Sequence, residues 1–193
     1  MTAAGVGQPD GVTGGWLASA RQRPSPNWDQ RPPGVEVDLL VIHAISLPPG
    51  AFGGEGVERL FTNRLDPDAH PFFRSIEGLR VSAHLFIRRD GTLYQFVPLY
   101  GRAWHAGQSS FAGRPRCNDF SVGIELEGTD HHPYTPAQYR RLGRTAAAVM
   151  AACPGIARDR IAGHADIAPD RKTDPGRAFD WQRFYAELDG ARV

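Results

Sequence analysis

Residues able to bind a metal ion or move a proton are concentrated in one segment, GHADIAPDRKTDPG at residues 163–176. This segment holds a histidine, three aspartates and a lysine, and its Pro and Gly residues make it poor material for a packed core. A second histidine, His43, stands far upstream in the aliphatic run VIHAI. Two histidines and one carboxylate are a ligand set of catalytic zinc, with water in the fourth position. The pattern therefore predicts a zinc site of the hydrolytic kind.

The spacing alone does not choose among Asp166, Asp170 and Asp174 as the carboxylate ligand. If the end of the segment is extended, Lys172 and Asp174 point the same way, because side chains repeat every two residues. A cation and a ligand would then share one site. His43 taken by itself has a plainer alternative, since a lone histidine on a buried strand is more often a hydrogen-bonded core residue than a ligand.

A candidate general base lies in SVGIELEG, residues 121–128. The alternation predicts a strand with three aliphatic residues on one face and Glu125 and Glu127 on the other. The acidic face either meets water or forms the floor of a pocket. In a pocket, burial and a like-charged neighbour would raise the pKa of Glu125 toward the range of a general base. The residues alone favour the solvent-facing alternative.

Further candidates could contact a substrate. Trp104 and His105 in AWHAG could line a sugar site, although ordinary packing is the favoured alternative. Arg80 and Arg116 could clamp a substrate carboxylate in bidentate fashion, or simply be solvated. The residue types do not decide between these alternatives.

The pattern of elements predicts a fold that can hold such a site. DLLVIHAI (38–45) is typical of a central strand covered on both faces. Residues 81–98 predict a hairpin around Arg-Asp-Gly, and residues 66–78 a loop. Helices are predicted at 57–65, 135–155 and 179–188. The order indicates an α/β class, a single domain with a central mixed β-sheet flanked by α-helices.

Composition limits the remaining possibilities. The chain has 193 residues and a net charge of +1, which gives no reason to expect a nucleic-acid or membrane partner. Residues 1–15 are predicted to be a disordered tail, and residues 16–193 a single domain. The two cysteines form no C-x-x-C pair and are expected to be free thiols. No signal-peptide pattern or long apolar run is evident, so a cytoplasmic location is favoured.

Five motifs resemble the AmpD type of N-acetylmuramoyl-L-alanine amidase, in order from about Trp16 to Phe184. They are VIHAISLPPG, VSAHLFIRRDGTLYQFVP, RAWHAG, RCNDFSVGIELEGTD and GHADIAPDRKTDPG. The resemblance implies one Zn²⁺ in a surface groove. The residues that it assigns are the ligands His43, His164 and Asp174, the general base Glu125, the transition-state cation Lys172, and the substrate contacts Trp104, Arg80 and Arg116. Members of this family commonly carry Asn after the first zinc histidine, where this chain has Ala44, so fine specificity is in question.

The resemblance implies hydrolysis of the amide between (anhydro-)N-acetylmuramic acid and L-alanine of muropeptides, during cell-wall recycling in the cytoplasm. The implied partner is a small muropeptide, and a monomer is expected. Two alternatives stay open: an amidase acting on intact peptidoglycan, and a non-catalytic muropeptide-binding module on the same fold. A structural zinc site is disfavoured because only three protein ligands are identifiable, whereas such sites usually have four.

Overall fold

The computed structural model describes residues 10–192, and all structural statements refer to them. The strands are β1 Val12–Thr13, β2 Trp16–Leu17, β3 Arg21–Gln22, β4 Trp28–Gln30, β5 Leu39–Ile45, β6 Leu85–Ile87, β7 Leu93–Gln95, β8 Gly101–Ala103, β9 Ser110–Phe111, β10 Arg114–Pro115, β11 Ser121–Glu127 and β12 Ile161–Gly163. The α-helices are α1 Gly56–Phe61, α2 Pro71–Ser75, α3 Pro136–Ala152, α4 His164–Ile167 and α5 Trp181–Ala191.

Six strands form the main sheet in the order β12-β5-β11-β6-β7-β3. Neighbouring strands are parallel except β6 and β7, which form the antiparallel hairpin predicted around Arg-Asp-Gly. The sheet is therefore mixed and lies in a single domain with helices, as predicted.

The two central strands, β5 and β11, run parallel in register over seven residue pairs, with His43 directly opposite Glu125. Residues at alternate positions of β5 face opposite sides of the sheet. Leu40 and Ile42 join the large core cluster that includes α3 and α5, whereas Leu39 and Val41 join a smaller cluster on the other face. His43 and Glu125 share this second face, so both belong to one surface of the sheet.

The longest helix, α3, begins as the sequence predicts. Thr135 caps it, its side chain accepting from the backbone N–H of Gln138, while the Gln138 side chain accepts from the Thr135 N–H. Pro136 occupies the first turn. The helix ends at Ala152 with Cys153 as its C-cap, directly before Pro154-Gly155, the pair predicted to end it. The predicted 57–65 and 179–188 helices are observed as α1 and α5 with shifted ends.

The prediction of an uninterrupted loop at 66–78 is wrong. The segment contains a 3₁₀ turn, Pro67–Ala69, and the short helix α2. Each starts with proline, whose fixed φ suits a first helical turn. The ring of His70 accepts a hydrogen bond from the N–H of Phe72, which caps α2. The ring nitrogen thus takes the capping role that Ser or Asp usually has. Because a histidine takes this role, the sequence does not predict the start of α2.

Other findings concern the termini and the cysteines. Residues 1–9 of the predicted tail lie outside the described residues, and Val12–Thr13 pairs with Trp16–Leu17, so the predicted boundary at residue 16 falls inside a small hairpin. Cys117 and Cys153 are free, as expected. None of the helices in residues 10–192 combines the length and apolarity needed to cross a membrane.

Candidate metal centre

Three potential ligand atoms converge on the polar face of the sheet. His43 Nδ1 lies 2.9 Å from His164 Nδ1 and 3.4 Å from Asp174 Oδ2. His164 Nδ1 lies 3.2 Å from the same carboxylate oxygen. These three residues form a group that could hold a metal ion.

The spacing and donor types suit zinc. Ligand bonds of about 2.0–2.1 Å in a tetrahedral arrangement place neighbouring ligand atoms about 3.3 Å apart, close to the observed separations. His164 Nε2 lies 3.2 Å from the backbone carbonyl of Ala106. A carbonyl can only accept, so Nε2 carries the proton of the neutral ring and Nδ1 keeps a lone pair for the metal.

The ligands come from two adjacent strands and the polar segment that follows them. His43 lies near the end of β5, and His164 is the first residue after β12, which pairs with β5. Asp166 closes this turn by accepting from the N–H of Gly163 at 2.6 Å. The chain then returns so that the Asp174 carbonyl accepts from the N–H of Ala165 at 2.9 Å. Local hydrogen bonds therefore bring the loop back to its own first histidine.

Of the three aspartates that the spacing leaves open, Asp174 lies beside both histidines. Asp174 reaches both histidines, whereas Asp166 holds the turn and Asp170 is exposed. The backbone N–H of Ala44 lies 3.3 Å from Asp174 Oδ2. The position where the sequence departs from the family pattern thus contributes a main-chain contact that does not depend on its side chain.

Burial sets the protonation of the cluster. It lowers the pKa of His43 to about 4, despite an opposing hydrogen bond to Asp174, so the ring is neutral near pH 7 and can act as a ligand. Burial also favours the neutral form of Asp174, but its contacts with His164 and His43 outweigh burial and lower the pKa of this carboxyl. The group is an ionised carboxylate beside two imidazoles.

Glu125 is buried on the strand next to His43. Its side chain is on the same face as His43, it is only 8% exposed, and within residues 10–192 its Oε2 has no hydrogen-bond partner. Burial, reinforced by the charge of Asp174 and opposed by that of Lys172, raises the pKa of Glu125 well above its usual range. The solvent-facing alternative is therefore wrong, because β11 is covered on both faces.

Lys172 is half-buried in the polar segment, and its backbone N–H donates to the carbonyl of Ala168. Its charge lowers the pKa of both Glu125 and His43. The same cation therefore acts electrostatically on the buried carboxylate and on one candidate ligand.

The predicted substrate contacts are more widely placed. Trp104 is half-buried, and its Nε1 donates to Asp29 Oδ1 at 3.3 Å. Arg116 is 69% exposed and pairs with Asp119. Arg80 is exposed and lines a cavity of about 290 Å³, whose lining includes none of the metal-centre residues.

Sequence reasoning missed the position of His105, which it weighed only as part of a sugar site. His105 Nδ1 lies 2.8 Å from His43 Nε2, directly behind the ligand cluster. A signal was present in β11, where Gly123 interrupts a strand of larger residues. A Cβ at Gly123 would lie 2.6 Å from the His105 ring, so only glycine leaves space for it.

The profile of the N-acetylmuramoyl-L-alanine amidase family matches residues 33–177, which include every residue of the metal centre. The chain belongs to this family, and it is a hydrolase, an N-acetylmuramoyl-L-alanine amidase. Among curated relatives, the 1,6-anhydro-N-acetylmuramyl-L-alanine amidase AmpD of Salmonella typhimurium SL1344 is 60% identical over 172 residues, covering 89% of this chain and 91% of that protein.

Solved structures agree with this assignment. The crystal structure of a selenomethionine AmpD derivative superposes with a TM-score of 0.89 at 56% identity, covering 92% of this chain and 98% of that one. The amidase AmiD from E. coli, in complex with the substrate anhydro-N-acetylmuramic acid-L-Ala-D-γ-Glu-L-Lys, gives a TM-score of 0.58 at 28% identity, covering 82% of this chain and 60% of that one. The resemblance drawn from the five motifs is confirmed.

Proposed function

We propose that the protein is a zinc-dependent amidase that cleaves the bond between the lactyl group of 1,6-anhydro-N-acetylmuramic acid and L-alanine of a muropeptide. The observation that carries the proposal is the convergence of His43, His164 and Asp174 near the buried carboxylate of Glu125, whose Oε2 has no hydrogen-bond partner within residues 10–192. The first three supply a ligand set, and the fourth is a proton acceptor at the same face of the sheet.

The ligands would hold Zn²⁺ through His43 Nδ1, His164 Nδ1 and Asp174 Oδ2. Zinc bound in such sites acts as a Lewis acid and makes water acidic enough to serve as a nucleophile near pH 7. Glu125 accepts the proton of the attacking water, since its carboxylate is next to the ligands and has a free oxygen. It then delivers that proton to the leaving amine of L-alanine.

Lys172 stabilises the negative charge that develops on the carbonyl oxygen of the scissile amide. The support for this role is that the charge of Lys172 lowers the pKa of both Glu125 and His43. Loss of one such stabilising group typically costs about 2.7–4 kcal/mol of transition-state stabilisation.

The substrate class rests on the relatives. AmpD relatives are named for the 1,6-anhydro sugar, and AmiD was solved with an anhydro-muropeptide. We propose Trp104, Arg80 and Arg116 as contacts for this ligand, Trp104 being oriented through Asp29. We further propose that residues 16–193 form the amidase domain with its metal in a surface groove, acting as a monomer in cytoplasmic cell-wall recycling.

Two measurements test the proposal. Mass spectrometry should detect free stem peptide and anhydro-N-acetylmuramic acid from anhydro-muropeptide, and far less product from intact peptidoglycan. Equal or greater release from intact peptidoglycan would favour the wall-degrading alternative. Binding of anhydro-muropeptide without any release would favour the binding-module alternative.

Metal analysis tests the ligand set separately. His164→Ala should lose its stoichiometric zinc, because it removes one of three ligands. Asp170→Asn is the matched control, since Asp170 is exposed in the same segment and should keep the metal. Full zinc occupancy in His164→Ala would show that the metal is bound elsewhere.

A further inference from the structure

A chain of hydrogen bonds leads from the proposed ligand His43 into the interior. His43 Nε2 lies 2.8 Å from His105 Nδ1, and His105 Nε2 lies 3.1 Å from Ser121 Oγ. The Ser121 hydroxyl lies 2.6 Å from the backbone carbonyl of Cys117. The chain therefore ends at a group that can only accept a hydrogen bond.

That last group fixes the direction of every bond before it. Because the Cys117 carbonyl only accepts, the Ser121 hydroxyl donates to it and offers its lone pair to His105. His105 then carries its proton on Nε2 and presents a bare Nδ1. His43 in turn donates from Nε2, which leaves His43 Nδ1 without a proton. This is the atom that faces His164 and Asp174.

The reverse direction is incompatible with a metal. With its proton on Nδ1, His105 would donate to His43 Nε2, and neutral His43 would have to carry its own proton on Nδ1, where the metal bond forms. It would also require the Ser121 hydroxyl to turn toward His105 and give up the 2.6 Å bond to Cys117. The backbone carbonyl thus disfavours the tautomer that blocks the ligand.

The surrounding backbone fixes the position of the His105 ring. Asn118 Oδ1 accepts from the N–H groups of both His105 and Ala106, at 3.1 and 2.8 Å. The ring lies over Gly123, where any Cβ would come within 2.6 Å of it. Ser121, Gly123 and Glu125 occupy alternate positions on the same face of β11. One strand face therefore carries a hydroxyl, a space for the ring and the proposed base.

The two proposed histidine ligands are held in the required tautomer by different partners at Nε2. His164 donates from Nε2 directly to a backbone carbonyl, that of Ala106, and needs nothing further. The partner of His43 is another imidazole, which has two neutral tautomers and can accept only in one of them. A second group must therefore set the tautomer of His105, and Ser121 is the group in contact with it.

We propose that His105 and Ser121 are positioning residues that hold His43 in the tautomer able to bind zinc. The inference rests on the proposed zinc site and goes beyond it, because neither residue is a ligand or contacts the substrate in the proposed mechanism. Groups that orient a histidine ligand in this way typically contribute 10–100-fold to metal affinity.

The test compares zinc dissociation constants, measured by competition with a chelator at one pH. His105→Ala removes the acceptor for His43 and should weaken zinc binding about 10–100-fold. His105→Asn is the conservative rescue, because Asn Oδ1 stands close to the position of histidine Nδ1 and can accept from His43. It should retain most of the affinity. Equal loss in both variants would show that only the ring's packing matters, and would overturn the proposal.

Ser121→Ala supplies a second, independent measurement. In the wild-type background it should weaken zinc binding several-fold, because His105 is free to take either tautomer. In the His105→Asn background it should have no effect, since an amide oxygen needs no tautomer partner. An unchanged affinity in Ser121→Ala alone, or equal effects in the two backgrounds, would overturn the proposal.

The matched control is Ser109→Ala. Ser109 is also buried and contacts Cys117, accepting from its N–H at 3.2 Å, but is not in the hydrogen-bond chain from His43. It should bind zinc as wild type does.

Imidazole nitrogen NMR reads the tautomer directly, first in the folded wild-type protein and then in Ser121→Ala. His105 should show a protonated Nε2 and a bare Nδ1, and Ser121→Ala should shift this toward a mixture. A protonated Nδ1 on wild-type His105 would contradict the proposal. Failure of the zinc site itself is distinguishable, because His164→Ala would then keep its metal.

Discussion

Glu125 and Glu127 lie two residues apart on the same face of β11, and both are buried, yet their surroundings differ. Glu127 Oε1 accepts from the N–H of Gly53 at 2.5 Å, and its Oε2 accepts from the N–H of Arg89 at 3.0 Å. Glu125 keeps one oxygen without a partner among the described residues. The difference separates a carboxylate that holds the fold together from one that is available for chemistry.

The contacts of Glu127 explain its place at the end of the strand. Gly53 belongs to the Pro- and Gly-rich segment after β5, and Arg89 to the turn between β6 and β7. Glu127 therefore joins the segment after β5 to the turn between β6 and β7. A buried carboxylate with both oxygens bonded to backbone N–H groups is typical of a structural role.

The surroundings of Glu125 are costly to the fold. A buried polar atom without a partner destabilises a protein, and a buried charge does so more strongly. Titratable groups with strongly shifted pKa values cluster at functional sites, where such costs are retained for reactivity. The comparison therefore supports the proposed proton transfer by Glu125, and it predicts opposite effects of the same substitution on stability at the two positions.

The largest expected effect is on turnover. Glu125→Gln preserves size but removes the proton acceptor, so kcat for amide hydrolysis should fall about 10²–10⁴-fold. Zinc content and muropeptide affinity should stay near wild type, because the proposed metal ligands are elsewhere in the chain. Product release measured by mass spectrometry, together with metal analysis, checks both expectations.

Glu127→Gln is the matched control, with the same chemical change on the same strand face. Its effect on kcat should be much smaller, since its carboxylate is engaged with two backbone N–H groups. Wild-type turnover in zinc-loaded Glu125→Gln would assign the proton transfer to another group. Equal losses in the two variants would remove the distinction between them.

The sequence indicates one part of this comparison. Period-2 alternation in β11 correctly predicts that Glu125 and Glu127 share a face, and the apolar run of β5 correctly predicts a strand covered on both sides. What alternation does not give is the register between β5 and β11, which puts Glu125 opposite His43. Register depends on residues about 80 positions apart, and no local pattern contains that information.

Long-range partners account for the rest. Glu127 is structural because of Gly53 and Arg89, which are 74 and 38 residues away in sequence. Asp174 differs from Asp166 because the polar segment folds back on its own first histidine. A backbone hydrogen bond holds it there, and residues of any type could form that bond. These features depend on the tertiary structure, although the family resemblance implies Asp174 as the ligand.

An intermediate effect is expected on stability at Glu127. In Glu127→Gln one oxygen becomes an NH₂ group, which faces a backbone N–H and cannot accept from it. Losing one of these two part-buried hydrogen bonds should destabilise the protein by about 0.5–1.5 kcal/mol. Denaturant unfolding of zinc-loaded protein would measure this. A stability equal to wild type would show that Gly53 and Arg89 find other partners and that Glu127 is not structural.

The smallest expected effect is a gain in stability at Glu125, in the zinc-free protein. Burial raises the folded-state pKa of Glu125 above the value of about 4.3 expected for an unfolded chain. The folded state thus favours the protonated form, whose contribution is complete below the unfolded pKa and is lost as pH rises through the folded pKa. Glutamine stays neutral throughout, so Glu125→Gln should be more stable than wild type at neutral pH. The gain should disappear near pH 4, where wild-type Glu125 is itself protonated.

Unfolding of both proteins with chelator present, at several pH values, tests this gain in stability. Glu127→Gln should show no such gain. A wild-type protein that is the more stable one at neutral pH would show that ionised Glu125 is well solvated or paired, contrary to the difference between the two carboxylates.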